Sequence, residues 1–204
     1  TVPWHFIPTS DNRLQIHPVE ELKNLRYNQQ NVPDVSLSAQ EERAIDGLAS
    51  DCMELQMTIN PIEAQRFGLK LLCSPNCEEE TIIIYDHGQK EFVIDFEKAS
   101  TNEELVYPCG KYGKPLTSGN LKQTVPYVLE KKQVLNLNIL VDKSVIEIFV
   151  NGDICIVQRV YPAREDSQEV RLFTKDHQVK IRNVIKWNME ARNWDIYIFN
   201  SFKI

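Results

Sequence analysis

Between positions 53 and 59 the chain alternates strictly, with Met53, Leu55, Met57 and Ile59 apolar and Glu54, Gln56 and Thr58 polar. That is the period of a strand with one face in a core. Short runs rich in β-formers follow at Phe67 to Cys73, Thr81 to Tyr85 and Glu91 to Phe96, the last two joined by the turn-forming Asp86-His87-Gly88-Gln89. The sharpest alternation comes at Leu135, Leu137, Ile139 and Val141. After the turn Asp142-Lys143-Ser144, the run Val145 to Val150 predicts a second strand. Asn151-Gly152 then supplies the two residues best able to hold positive φ in a tight hairpin, and Ile154 to Tyr161 returns as a third strand. Val170 to Thr174 and Val179 to Trp187 complete the set.

So many short strands with almost no helix between them predict an all-β fold, an antiparallel two-sheet β-sandwich of jelly-roll, concanavalin-like type. Residues 41–189 make up this sandwich. The first 26 residues differ: two extended runs around Ser10-Asp11-Asn12 predict a hairpin, and Val19, Leu22 and Leu25 predict one short helix, with Glu20 and Glu21 in its first turn and Arg26 in its last. An exposed apolar patch is expected around Trp4, Phe6, Leu22 and Leu25. Residues 27–40 keep no period and read as a linker, and residues 97 to 124 as a long loop holding at most one edge strand. In the tail, 190–204, Ile196 and Ile198 alternate with Tyr197 and Phe199, so both faces are apolar and call for a cover from the chain's own sheet or a second copy.

Composition narrows the function. The net charge is −6 and the basic residues are scattered, which argues against nucleic acid as a partner. No apolar run reaches the roughly 20 residues that span a bilayer, so the chain reads as soluble and without a membrane partner, its compartment, cytoplasmic or secreted, left open. Five cysteines, at 52, 73, 77, 109 and 155, are an odd number and read mainly as free thiols. Cys155 lies in an apolar run and is expected in the core. Cys73 and Cys77 bracket a turn, and no second Cys or His pair at zinc spacing accompanies them, so neither metal nor cofactor is expected.

Chemistry-bearing residues are few. Glu147 alternates with Val145 and Phe149 among apolar neighbours, where an unpaired charge is costly. It reads as a structural carboxylate satisfied by an arginine, a hydroxyl or backbone amides. Asp142 and Ser144 suit local turn hydrogen bonds. The four histidines stand in turns or strand ends with no nucleophile beside them. Trp4, Trp187, Trp194, Tyr107 and Tyr112 are the aromatics able to serve as sugar platforms, should the sandwich bind an oligo- or polysaccharide.

The meander LNILVDKSVIEIFVNGDICIVQRVYP resembles the carboxy-terminal domain of glycoside hydrolase family 32, the family of invertases, levanases, inulinases and sucrose-phosphate hydrolases. VPWHF with RLQIHPVEELKNLR resembles the family's last propeller strands and interdomain helix, FGLKLL the start of its sandwich and FVIDFEKAS a later strand. Trp4 stands where the family commonly has arginine. The resemblance marks Asp142, Ser144, Glu147, Phe149, Asn151, Gly152 and Arg159 as family-signature positions with a structural role. It further implies a five-bladed catalytic propeller as partner, with residues 1–26 as its edge and the connecting helix. Retaining cleavage needs two carboxyl groups roughly 5 to 5.5 Å apart. The family draws them from Asn-Asp-Pro-Asn-Gly-like, Arg-Asp-Pro and Glu-Cys motifs, and none of these strings occurs here. The nearest echo, Cys77-Glu78, is reversed and reads as part of a solvated acidic turn. The expectation is a non-catalytic module that steadies a glycosidase and pairs subunits through its tail or its exposed propeller edge.

Overall fold

Where apolar residues alternate, the chain forms strands, and the strands sort into two sheets that share one core. The computed structural model describes residues 1–107, 119 and 121–190. A hairpin of β1 (Trp4–Pro8) and β2 (Leu14–Pro18) comes first, followed by a 3-10 helix at Glu20–Leu25. The sandwich strands are β3 (Arg26–Val32), β4 (Val35–Leu37), β5 (Glu42–Ala44), β6 (Cys52–Asn60), β7 (Arg66–Cys73), β8 (Thr81–Asp86), β9 (Glu91–Asp95), β10 (Lys122–Pro126), β11 (Leu135–Asp142), β12 (Val145–Val150), β13 (Ile154–Arg159), β14 (Glu169–Thr174) and β15 (Val179–Met189). One sheet has the order β13-β12-β11-β6-β15-β3, with β4 also on β15. The other runs β10-β9-β8-β7-β14-β5. Every pairing among the described residues is antiparallel.

Register shows how the core is filled. Ile156, Ile148, Ile139 and Leu55 face one another across β13, β12, β11 and β6. On the other sheet Leu172, Leu69, Ile83 and Ile94 do the same. All eight belong to one buried cluster, and each side chain of this size removed from water contributes about 1.5–3 kcal/mol. β15 keeps its apolar residues inward only by a bulge at Asn183, whose φ is +54°. Beyond it the parity flips, so Val184 and Lys186 take the inward face. Lys186 is buried opposite Leu55 and donates to the Ala49 carbonyl at 3.1 Å, and burial lowers its pKa.

Several expectations need correcting. Residues 27–40 are not a structureless linker, because β3 and β4 lie there, paired with β15. β3 carries no apolar alternation since it is an edge strand with exposed faces, and its order comes from the partner backbone. The short helix is 3-10 and buries none of its residues fully. Cys155 is only half-buried, on the outer face of its sheet beside Phe149. Of the acidic run only Glu78 is exposed, while Glu79 and Glu80 are buried. The tail from 191 to 204, with Trp194, and the segment holding Cys109 and Tyr112 lie outside the described residues.

Gly68 explains a glycine in the middle of β7. A Cβ there would fall 1.9 Å from the Ile83 carbonyl oxygen across the β7–β8 ladder, so no larger residue fits without prising the strands apart.

Candidate functional site

The outer face of the seven-stranded sheet carries a row of side chains fixed by register: Val157 on β13, Glu147 on β12, Leu140 on β11, Glu54 on β6 and Trp187 on β15. Two carboxylates therefore lie in one row, and both are buried, at 2% and 1% exposure. A buried carboxylate needs donors. Here they come from the amino-terminal segment. Glu147 accepts from the Val2 amide at 2.6 Å and from the Trp4 indole N–H at 3.1 Å. Glu54 accepts a two-pronged pair from Arg26, both contacts at 2.6 Å, and a third bond from the Gln56 amide at 3.1 Å. The planar guanidinium matches a carboxylate in this way, and its face stacks 4.1 Å from the Trp187 ring centroid.

The remaining contacts complete a seam. Trp4 packs edge-on against Phe149 at 6.4 Å between ring centroids. The β12–β13 turn has Asn151 at φ +51° and Gly152 at φ +74°, and the Asp153 amide closes it on the Val150 carbonyl. The Gly152 carbonyl accepts from the Ile16 amide at 2.8 Å, so β2 docks its backbone on the turn. A Cβ at Gly152 would stand 2.9 Å from the His17 ring. Glycine is thus favoured here by its positive φ, and any added Cβ would also have to displace the His17 ring. Replacing it with alanine is expected to cost about 1–3 kcal/mol. The Ile16 amide should then lose hydrogen-exchange protection while the amides of β7 keep theirs.

Three signature positions, Glu147, Phe149 and Gly152, thus converge on the hairpin. Asn151 works one layer below: its amide donates to the Tyr127 hydroxyl at 2.8 Å, and its oxygen accepts from the Asn136 amide N–H at 2.8 Å. Tyr127 in turn donates to Asp153 at 3.0 Å, and Arg13 of the hairpin reaches Asp153 at 3.4 Å. Ser144 accepts a backbone bond from Val160, Asp142 pairs with Val145 at the hairpin end, and Arg159 is exposed at the end of β13. These last three do not join the seam.

Among the aromatic candidates, Trp4 lies in the seam, and Trp187 carries Arg26 on its ring and donates to Gln29 at 3.1 Å. Tyr107 is core, packed on Phe96 and Tyr161. The expected apolar patch has shifted. Leu22 and Leu25 are half-buried, whereas Phe6, Ile7 and Leu14 are the exposed apolar residues of the hairpin.

A second buried carboxylate centre escapes sequence reasoning. Glu79 accepts five hydrogen bonds, from the amide and hydroxyl of Thr101, the amides of Ala163 and Arg164 and the hydroxyl of Ser167, at 2.6 to 3.1 Å. Burial alone would raise its pKa, but the Ser167 hydroxyl and the backbone amides outweigh burial and hold the carboxyl below its ordinary 4.5. Beside it Glu80 meets Lys70 at 2.7 Å. Cys73 is a buried thiol pushed up to about 12, mainly by burial, which makes it inert at neutral pH. Among the described residues no group of three metal-ligating side chains occurs, and no helix is long and apolar enough to cross a membrane.

Fold and seam together define a β-sandwich module with two buried carboxylates on one outer face, Glu147 held by the amino-terminal segment through Val2 and Trp4 and Glu54 by Arg26 of β3. The chain belongs to glycosyl hydrolase family 32: the family model described as "Glycosyl hydrolases family 32 C terminal" matches residues 21–188. It is 24% identical over 188 residues to a sucrose-6-phosphate hydrolase of Zymomonas mobilis, covering 90% of this chain and 33% of that protein. It is 25% identical over 228 residues to a β-fructofuranosidase, insoluble isoenzyme 1, of Oryza sativa, covering 91% and 37%. The chain thus spans about a third of the length of these relatives. Among solved structures it resembles a fructosyltransferase from A. japonicus, with a TM-score of 0.73, 18% identity and coverage of 94% and 32%. Fructan 1-exohydrolase IIa from Cichorium intybus gives 0.70, 18% identity, 94% and 41%.

Proposed function

We propose that this chain is the non-catalytic carboxy-terminal module of a fructan- or sucrose-cleaving glycosidase, and that it holds the edge of the catalytic domain through the seam. The carrying observation is Glu147, buried in the sandwich with both oxygens engaged by Val2 and Trp4 of the amino-terminal segment. A sandwich that served only itself would gain nothing from a carboxylate there, since burying one without donors is costly. The hairpin's exposed Phe6, Ile7 and Leu14 suit continuation of the same β structure. Glu54 and Glu147 do not make an acid-base pair. Their strands flank β11, which sets the backbones roughly 10 Å apart, and their oxygens are already bonded to donors of this chain.

The test joins this chain behind the amino-terminal two-thirds of a sucrose-cleaving relative, in place of that protein's own last third. Alone, the chain should release no sugar from sucrose, inulin or levan above buffer. The chimera should be soluble and hydrolytic, and Glu147→Leu should lower its melting midpoint. Hydrolysis by the chain alone would refute the reading, as would a chimera no more stable than the catalytic part alone.

A further inference from the structure

Between the hairpin, the 3-10 helix and the outer sheet face lies an open cleft of about 330 Å³ that the seam does not use up. Its carboxylates and its Arg and Lys side chains are already paired, Arg26 with Glu54 and Lys23 with Glu20. His5 and His17 face each other directly across β1 and β2 and line one wall. His5 makes no side-chain hydrogen bond among the described residues, and His17 makes only a long one, 3.4 Å to Gln15. On the opposite wall Gln56 spends its N–H on Glu54 and leaves its oxygen free. Asn138, next to Gln56 in register, makes no side-chain hydrogen bond to any described residue, and its oxygen is shielded from bulk water. Ile7 and Leu22 add apolar wall.

We infer that this cleft binds a small neutral polyhydroxylated molecule of monosaccharide size. Imidazole and carboxamide groups both donate and accept, as hydroxyls do, and a sugar's C–H faces suit Ile7 and Leu22. An anion is disfavoured, since Arg26 is held by Glu54 and Lys23 at the rim by Glu20. The Gln56 oxygen and the Asn138 amide N–H lack a partner among the described residues, and a hydroxyl-bearing ligand would supply one. The volume falls at the lower end of the range for small-molecule sites. This inference does not depend on the proposed docking role and fails separately from it.

The test is calorimetric titration of the whole 204-residue chain with D-fructose, D-glucose, glycerol and inorganic phosphate, each alone. At least one of the neutral probes should bind saturably, with a dissociation constant on the order of 1–10 mM, and phosphate should not. Asn138→Leu, close in size, should weaken binding by about tenfold, the loss of one to two hydrogen bonds. His5→Phe, a change on an exposed residue, should weaken it too and serves if Asn138→Leu folds poorly. Absence of saturable binding at 100-fold that concentration range, tighter binding of phosphate than of any neutral probe, or full binding by His5→Phe together with a folded Asn138→Leu would overturn it.

Discussion

Alanine in place of Glu79 is expected to destabilise the domain by about 3–5 kcal/mol, read as a lowered urea midpoint at pH 7. Five donors lose their acceptor at once, around a carboxylate that is itself fully buried. An orphaned buried donor costs about 1–3 kcal/mol, and relaxation keeps the sum below simple addition. Glutamine retains one acceptor oxygen and should recover part of the loss. The pH dependence carries its own sign. The folded carboxyl lies below its ordinary 4.5, so its stabilisation is present above that value and is lost as pH falls through the depressed one. The Glu79→Gln variant should therefore show a shallower loss of stability on acidification than the parent. An equally steep acid limb in both would remove Glu79 from this role.

Arg26→Ala should cost a similar amount, about 3–5 kcal/mol, for a different reason. It strands a carboxylate at 1% exposure with only the Gln56 amide for company. Removing one member of a buried pair costs far more than the pair is worth, because the remaining charge has no water to return to. The control follows from the same physics. Arg26→Ala combined with Glu54→Leu should regain most of the loss, since apolar replacement of both partners is close to neutral. A double variant as unstable as Arg26→Ala alone would show that stacking on Trp187, and not the charge, carries the effect.

The strands of the meander were legible because their evidence is local. Leu135 to Val141 alternate, Asn151-Gly152 turn with positive φ, and no distant residue is needed to see either. Glu147 was legible for the same reason, a carboxylate inside an apolar strand, although its donors, Val2 and Trp4, lie 145 and 143 residues away. Glu54 was not legible: it stands on the polar side of its strand's alternation with Gln56 and Thr58, and its burial becomes visible only with Arg26 folded onto it. β3 was not legible: Asn28-Gln29-Gln30-Asn31 has no apolar face, and its ladder is supplied by β15. Glu79 was hidden because an acidic run resembles a solvated turn until residues 101, 163, 164 and 167 fold over it. Lys186 followed the same rule, carried inward by one bulge at Asn183 that strict alternation does not announce.

The seam's most direct test is a double-mutant cycle on Trp4 and Glu147. Trp4→Phe keeps an aromatic ring at the position but removes the indole N–H together with part of the ring packing, which the cycle subtracts, and Glu147→Gln deletes the charge that the N–H bonds. Urea unfolding of the parent, both single variants and the double variant should give a coupling of about 1–2 kcal/mol, as expected for a hydrogen bond to a buried charged group. Additive losses, with coupling indistinguishable from zero, would contradict a sandwich built to grip the segment in front of it.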